Sequence, residues 1–157
     1  MGSKPSKIFT FTSMPNKRFM SRSESIGFLL AHAALFIVFV WFGLLKMLAL
    51  SPATPLVIAL SEKTLPFFDP DTFVRYFGAF EVFIGLCFII PKLNRVGLVL
   101  LIPHIATTIL PLILLPSLAW TDFLVPTLEG QYIIKNVAIA ALAVSIFADM
   151  KKQIKLS

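Results

Sequence analysis

Four runs of close to twenty mostly apolar residues divide this chain, at about 26–50, 72–90, 96–115 and 131–148. A helix of that length spans roughly 30 Å of hydrocarbon, where a backbone must satisfy its own hydrogen bonds. Composition agrees, because 57% of the residues are hydrophobic and only 14% are charged, which is unlike a soluble domain. With 157 residues there is room for one domain. The expected fold is all-α, an integral membrane four-helix bundle over 26–150, with a basic N-terminal segment over 1–25 and a basic tail over 151–157.

Local punctuation supports these limits. Ser51-Pro52 ends the first run, Asp69-Pro70 supplies an N-cap and a first helical residue for the second, and Pro91 closes it. The connection over 92–95 is short enough to make the second and third helices antiparallel neighbours, whereas 116–130 allows a looser turn. Pro103 and Pro111 each free a carbonyl one turn earlier, so a bent third helix is expected.

Basic residues flanking the spans set orientation. Five precede the first helix (Lys4, Lys7, Lys17, Arg18, Arg22), Lys92 and Arg95 lie between the second and third, and Lys151, Lys152 and Lys155 follow the fourth; the opposite loops hold only Lys63. Both termini of this multi-pass chain are therefore expected in the cytoplasm. The net charge of +6 reflects topology and implies no nucleic acid partner, since it is split among three short segments without a binding motif. The first apolar run is too long for a cleaved signal peptide, and Met1-Gly2 with Ser6 matches a myristoylation pattern short enough to arise by coincidence. The prolines and uneven pattern of 1–25 disfavour an organellar transit segment. The single cysteine, Cys87, lies in an apolar run, which excludes an internal disulfide and reads as inert core.

Polar residues inside the spans are costly and mark function by default. Helical spacing puts His32, Phe39, Gly43 and Lys46 on one side of the first helix, and Gly78, Glu81 and Gly85 on one stripe of the second. Gly97, His104, Thr108 and Pro111 align on the third, and Gln131, Lys135, Ala138 and Leu142 on the fourth, with Asn136 beside Lys135. Small residues beside Glu81 let a neighbouring helix approach closely. Topology places Lys46, Arg75, Glu81 and Lys135 in the outer half with His104 nearer the middle, so these faces can meet in an outward-opening cavity. Glu81 then has two candidate partners, Lys46 and Lys135. Arg75 is turned about 120° away and belongs at the headgroups. Against this stands a plainer reading in which both lysines snorkel outward and His104 is a satisfied core histidine rather than a metal ligand.

Four segments in order, "FVWFGLLKMLALSPATPLV", "FGAFEVFIGL", "NRVGLVLL" and "LEGQYIIKNVAIAALAV", resemble the DoxX-like membrane proteins, especially the branch containing the reactive-chlorine-resistance membrane protein. The resemblance spans nearly all four helices. It implies a bacterial inner-membrane four-helix bundle, with the family's Gly-x-x-Lys, Glu-x-x-x-Gly and Lys-Asn positions at Gly43 and Lys46, Glu81 and Gly85, and Lys135 and Asn136. The family includes a small subunit type linked to thiosulfate:quinone oxidoreduction. Two function classes follow. In one, the outer-half cavity binds a quinone-like or small anionic molecule in redox or oxidant-stress chemistry. In the other, the bundle is a non-catalytic subunit or scaffold of a membrane complex, with a membrane protein or a second copy of itself as partner. The chain lacks paired cysteines and an obvious haem or iron–sulfur ligand set, so the resemblance by itself does not make it a redox enzyme; a quinone is the cofactor that the ligand-binding class would involve.

Overall fold

A computed structural model describes residues 22–156, and the side chains of 25–151. The basic N-terminal segment read over 1–25 falls outside the described residues up to position 21, and most side chains of the basic tail fall outside them too. The chain is helical almost throughout. Helix α1 (Arg22–Met47) is followed by α2 (Thr54–Thr64), α3 (Pro70–Ile89), a 3-10 turn (Pro91–Leu93), α4 (Asn94–Ile109), and two short helices, α5 (Pro111–Leu114) and α6 (Pro116–Ala119). A small antiparallel hairpin, β1 (Trp120–Asp122) with β2 (Val125–Pro126), leads into α7 (Leu128–Leu156). Among the described residues four helical segments are long and apolar enough to cross a membrane: Ser25–Met47, Pro70–Ile89, Pro91–Leu114 and Leu128–Lys151.

Helix ends follow local chemistry. Asp69 accepts a 2.8 Å bond from the Thr72 amide and Pro70 opens the helix, so the Asp-Pro pair caps α3 as its sequence predicts. Helix α1 stops before Ser51-Pro52. Ala49 takes a left-handed conformation (φ 58°), and the Leu50 amide reaches back to the Leu45 carbonyl at 2.8 Å. That cap turns the chain away directly after Lys46. The third apolar run is interrupted where the proline pattern predicts: Pro111 has no amide to donate, and the Thr107 carbonyl takes the Leu110 amide at 3.3 Å instead.

The loops carry more structure than the apolar pattern predicts. Helix α2 lies between the first two spans, and its Lys63 donates a 2.6 Å bond to the Leu114 carbonyl at the end of α5. Trp120 donates to the Leu112 carbonyl at 3.0 Å, and Thr127 to the Leu118 carbonyl at 2.7 Å. These bonds fasten the 54–64 and 111–127 segments over one end of the bundle.

The core is thin and lies on the bundle axis, where Leu35 and Phe39 of α1 meet Ile84 and Phe88 of α3, Leu101 of α4 and Ile146 of α7. Around it, large apolar side chains such as Trp41, Ile102, Ile113 and Val144 are each more than 60% exposed. In water such a surface is an aggregation hazard, and against lipid it is ordinary. Helices α1 and α3 form the closest pair. A Cβ added to Gly43 comes within 2.5 Å of the Gly78 carbonyl, one added to Gly78 within 2.6 Å of the Gly43 carbonyl, and one added to Gly85 within 2.7 Å of Val40. The two backbones touch at these glycines, and the pairing of Gly43 with Gly78 and of Val40 with Gly85 makes the helices antiparallel.

Candidate functional site

The backbone contact at Gly43 and Gly78 positions Lys46, on the last turn of α1, beside Glu81, on the fourth turn of α3. Side chains on a helix lean toward its N-terminus. In an antiparallel pair Lys46 and Glu81 therefore lean toward each other, and Lys46 Nζ donates a 2.6 Å bond to Glu81 Oε2. From α4, His104 Nε2 approaches Glu81 Oε1 at 3.7 Å, beyond direct hydrogen-bond reach. All three residues are at most 6% exposed.

Aromatic rings close this cluster. Phe77 stacks on the His104 imidazole at 5.2 Å between centroids, Phe39 meets it edge-on at 5.0 Å, and Phe80 lies tilted at 6.3 Å. The Lys46 ammonium is 5.9 Å from the Phe77 ring centre, within cation–π range. One polar atom is left over, since His104 Nδ1 has no hydrogen-bond partner among the described residues.

The remaining sequence-derived candidates divide. Lys46, Glu81 and His104 come together, with Gly43, Gly78 and Gly85 beneath them. Asn136 donates a 3.3 Å bond to Thr108, tying α7 to α4. The Gln131, Lys135 and Ala138 row is exposed rather than turned to the bundle axis, and Lys135 lies 4.8 Å from the centre of the Tyr132 ring. The inward side of α7 is instead Ile133, Ala143 and Ile146. Leu142, aligned with that row by helical spacing, is partly buried against the core, and the rotation of α7 about its axis is set by the apolar side chains. Arg75 is exposed, and Cys87 is fully buried beside Gly97. Lys46, Glu81 and His104 line neither the cleft bordered by Phe28, His32 and Asn94 nor the smaller one bordered by Phe36, Val40 and Trp41. The triad is a buried polar cluster packed among aromatic side chains. Among the described residues no group of three or more His, Cys, Asp or Glu side chains gathers to hold a metal ion.

A second buried polar pair lies near the start of α4. The Asn94 amide meets His32 Nε2 at 3.0 Å, and His32 Nδ1 meets the Phe28 carbonyl at 2.8 Å. Sequence reasoning placed His32 on the same side of the first helix as Lys46 and did not single out Asn94. The available signal was the spacing that puts Asn94 on the same face of α4 as Gly97 and His104.

Fold and site define a mostly helical chain with four helices long and apolar enough to cross a membrane, as in a multi-pass membrane protein, and a buried Lys–Glu–His cluster supplied by the first three of them. No family model, curated protein or solved structure matches the chain.

Proposed function

We propose that this chain is a DoxX-like protein of the bacterial inner membrane, with both termini cytoplasmic, whose Lys46–Glu81–His104 triad binds the polar end of a quinone-like or small anionic molecule in redox or oxidant-stress chemistry. The observation that carries this reading is the unfinished bonding of the triad. A purely structural ion pair in a low-dielectric interior is stable when its polar atoms are all satisfied. Here His104 Nδ1 has no partner among the described residues, and the imidazole stands off from Glu81 at 3.7 Å. A planar ring with a carbonyl edge suits such a place. Lys46 has donors beyond the one given to Glu81, His104 offers a ring nitrogen, and Phe39, Phe77 and Phe80 supply stacking surface. The chain's own part is to bind and orient the ligand and to keep water out.

The scaffold reading is favoured by a different observation, the backbone contact at Gly43 and Gly78 that closes the cluster, together with the exposed Gln131–Lys135–Ala138 row as a face for a partner. One preparation separates the two. The full chain is purified in mild detergent, and its lipophilic molecules and co-purifying proteins are identified by mass spectrometry. A near-stoichiometric quinone that is lost from Glu81→Gln and from His104→Leu is the expected result. A preparation free of such molecules but carrying a stoichiometric protein partner replaces the ligand reading with the scaffold one.

A further inference from the structure

The larger cleft lies at the opposite end of α3 from the triad, where α1, the α3–α4 turn and the C-terminal part of α7 come together. Its volume is about 980 Å³, within the range of small-molecule sites. Three features of its lining point to one kind of occupant. The walls are apolar, formed by Phe28, Leu29, Phe88 and Met150 among others, and the adjoining flanks of α1 and α3, at Leu29, Leu30 and Ile89, are more than half exposed. The rim carries Lys92 and Arg95, both exposed. The floor holds the His32–Asn94 pair, each residue more than nine-tenths buried.

Hydrogen-bond logic fixes what that floor offers. The Phe28 carbonyl only accepts, so His32 Nδ1 donates to it across 2.8 Å. In the neutral ring Nε2 is then an acceptor, which takes the Asn94 Nδ2 donor at 3.0 Å. Asn94 Oδ1 is left as a buried acceptor without a partner among the described residues. The cleft therefore asks for a ligand that has apolar chains, carries a negative charge at the level of Lys92 and Arg95, and donates a hydrogen bond deeper in. A free phosphate has no use for the apolar walls. A zwitterionic amine headgroup places its cation beside two basic residues.

We propose that this cleft seats one anionic phospholipid with an alcohol-bearing headgroup, of phosphatidylglycerol type, from the leaflet facing the basic ends of the helices. Its phosphate sits between Lys92 and Arg95, a headgroup hydroxyl donates to Asn94 Oδ1, and an acyl chain lies along Phe28, Leu29 and Phe88. The site is independent of the triad and stands whether or not the triad binds a ligand.

The test is native mass spectrometry of the delipidated full chain, with phosphatidylglycerol, phosphatidylethanolamine, phosphatidic acid and glycerol 3-phosphate added separately. Phosphatidylglycerol is expected to bind at least about tenfold more tightly than phosphatidylethanolamine, a difference that falls to about twofold in Lys92→Gln/Arg95→Gln, whose altered side chains are exposed. Phosphatidic acid, which keeps the charge but lacks the headgroup alcohol, is expected to bind several-fold more weakly than phosphatidylglycerol in the native chain and equally in Asn94→Ala. Glycerol 3-phosphate alone is expected not to bind. Equal retention of the glycerol and ethanolamine lipids overturns the proposal, as does a preference that survives loss of both basic residues. A photo-reactive side chain at Ala33 that links to residues 1–21 instead of to lipid overturns it too, by assigning the cleft to the chain's own N-terminal segment.

Discussion

Replacing Gly43 by alanine tests whether the glycine contact sets the geometry of the triad. The added Cβ stands 2.5 Å from the Gly78 carbonyl, 2.8 Å from Val82 Cγ2 and 2.9 Å from the Val82 amide. Ordinary carbon contact begins near 3.4 Å, so the shortfall against the Gly78 carbonyl is about 0.9 Å. Two of the three opposing atoms are backbone, and no rotamer change relieves them. The helices must separate, and overpacking of this kind costs about 1–3 kcal/mol, with this site toward the upper end. A separation of about 0.9 Å also carries the 2.6 Å Lys46–Glu81 contact to roughly 3.5 Å, past hydrogen-bond range. The assay is unfolding in detergent, followed by thermal melting and by denaturing-detergent titration. Gly27→Ala is the control, since a Cβ there meets nothing within 4 Å and the exchange gains up to about 1 kcal/mol in a helix. Gly43→Ala is expected to melt well below the native chain and Gly27→Ala at or above it. Equal melting of the two variants refutes the argument that backbone contact at Gly43 holds α1 against α3.

Three further outcomes follow from single features. Ala49→Gly, at the left-handed residue that caps α1, is expected to stabilise the chain by about 0.5–1 kcal/mol, read as a raised melting temperature, because an L side chain is strained at φ 58°. The bonds from Thr72 hold the Asp69 carboxyl below the ordinary carboxylate range; its cap therefore contributes at neutral pH and is lost as pH falls through that lowered value, so Asp69→Asn should flatten the acid limb of a stability–pH curve. A fluorescent protein fused after Ser157 is expected to glow and alkaline phosphatase there to be inactive, and the reverse pattern moves the triad to the cytoplasmic half.

Much of the architecture was legible because bilayer length and proline placement act locally. The four apolar runs, the Asp69-Pro70 start and the break at Pro111 each follow from a few adjacent residues. Helix α2 and the 116–127 region were not legible. Their anchoring bonds, Lys63 to the Leu114 carbonyl and Trp120 to the Leu112 carbonyl, join a side chain to a backbone group that carries no sequence signature. At the site, spacing put Lys46, Glu81 and the glycines on the right faces and made a Lys–Glu contact feasible. It left Lys46 and Lys135 equivalent, because a helical wheel gives relative angles within one helix and not the rotation of that helix in the bundle. The glycine contact resolves Lys46, and the apolar side of α7 turns Lys135 outward. The His32–Asn94 pairing was missed for a related reason: 62 residues separate the partners, and spacing within one helix does not say which residue of another helix it meets.

Lys46 and Glu81 form one buried unit with His104, and Lys135 lies outside it. A double-mutant cycle in detergent measures this directly, with Glu81→Gln, Lys46→Met, Lys135→Met and the two double variants built on Glu81→Gln. Each single change in the pair strands a buried partner, whereas removing both charges relieves the fault, so a coupling of about 1–2 kcal/mol is expected between Glu81 and Lys46. Glu81 and Lys135 are expected to add within about 0.5 kcal/mol. Strict additivity for Glu81 and Lys46, or a coupling that appears with Lys135 instead, contradicts the account.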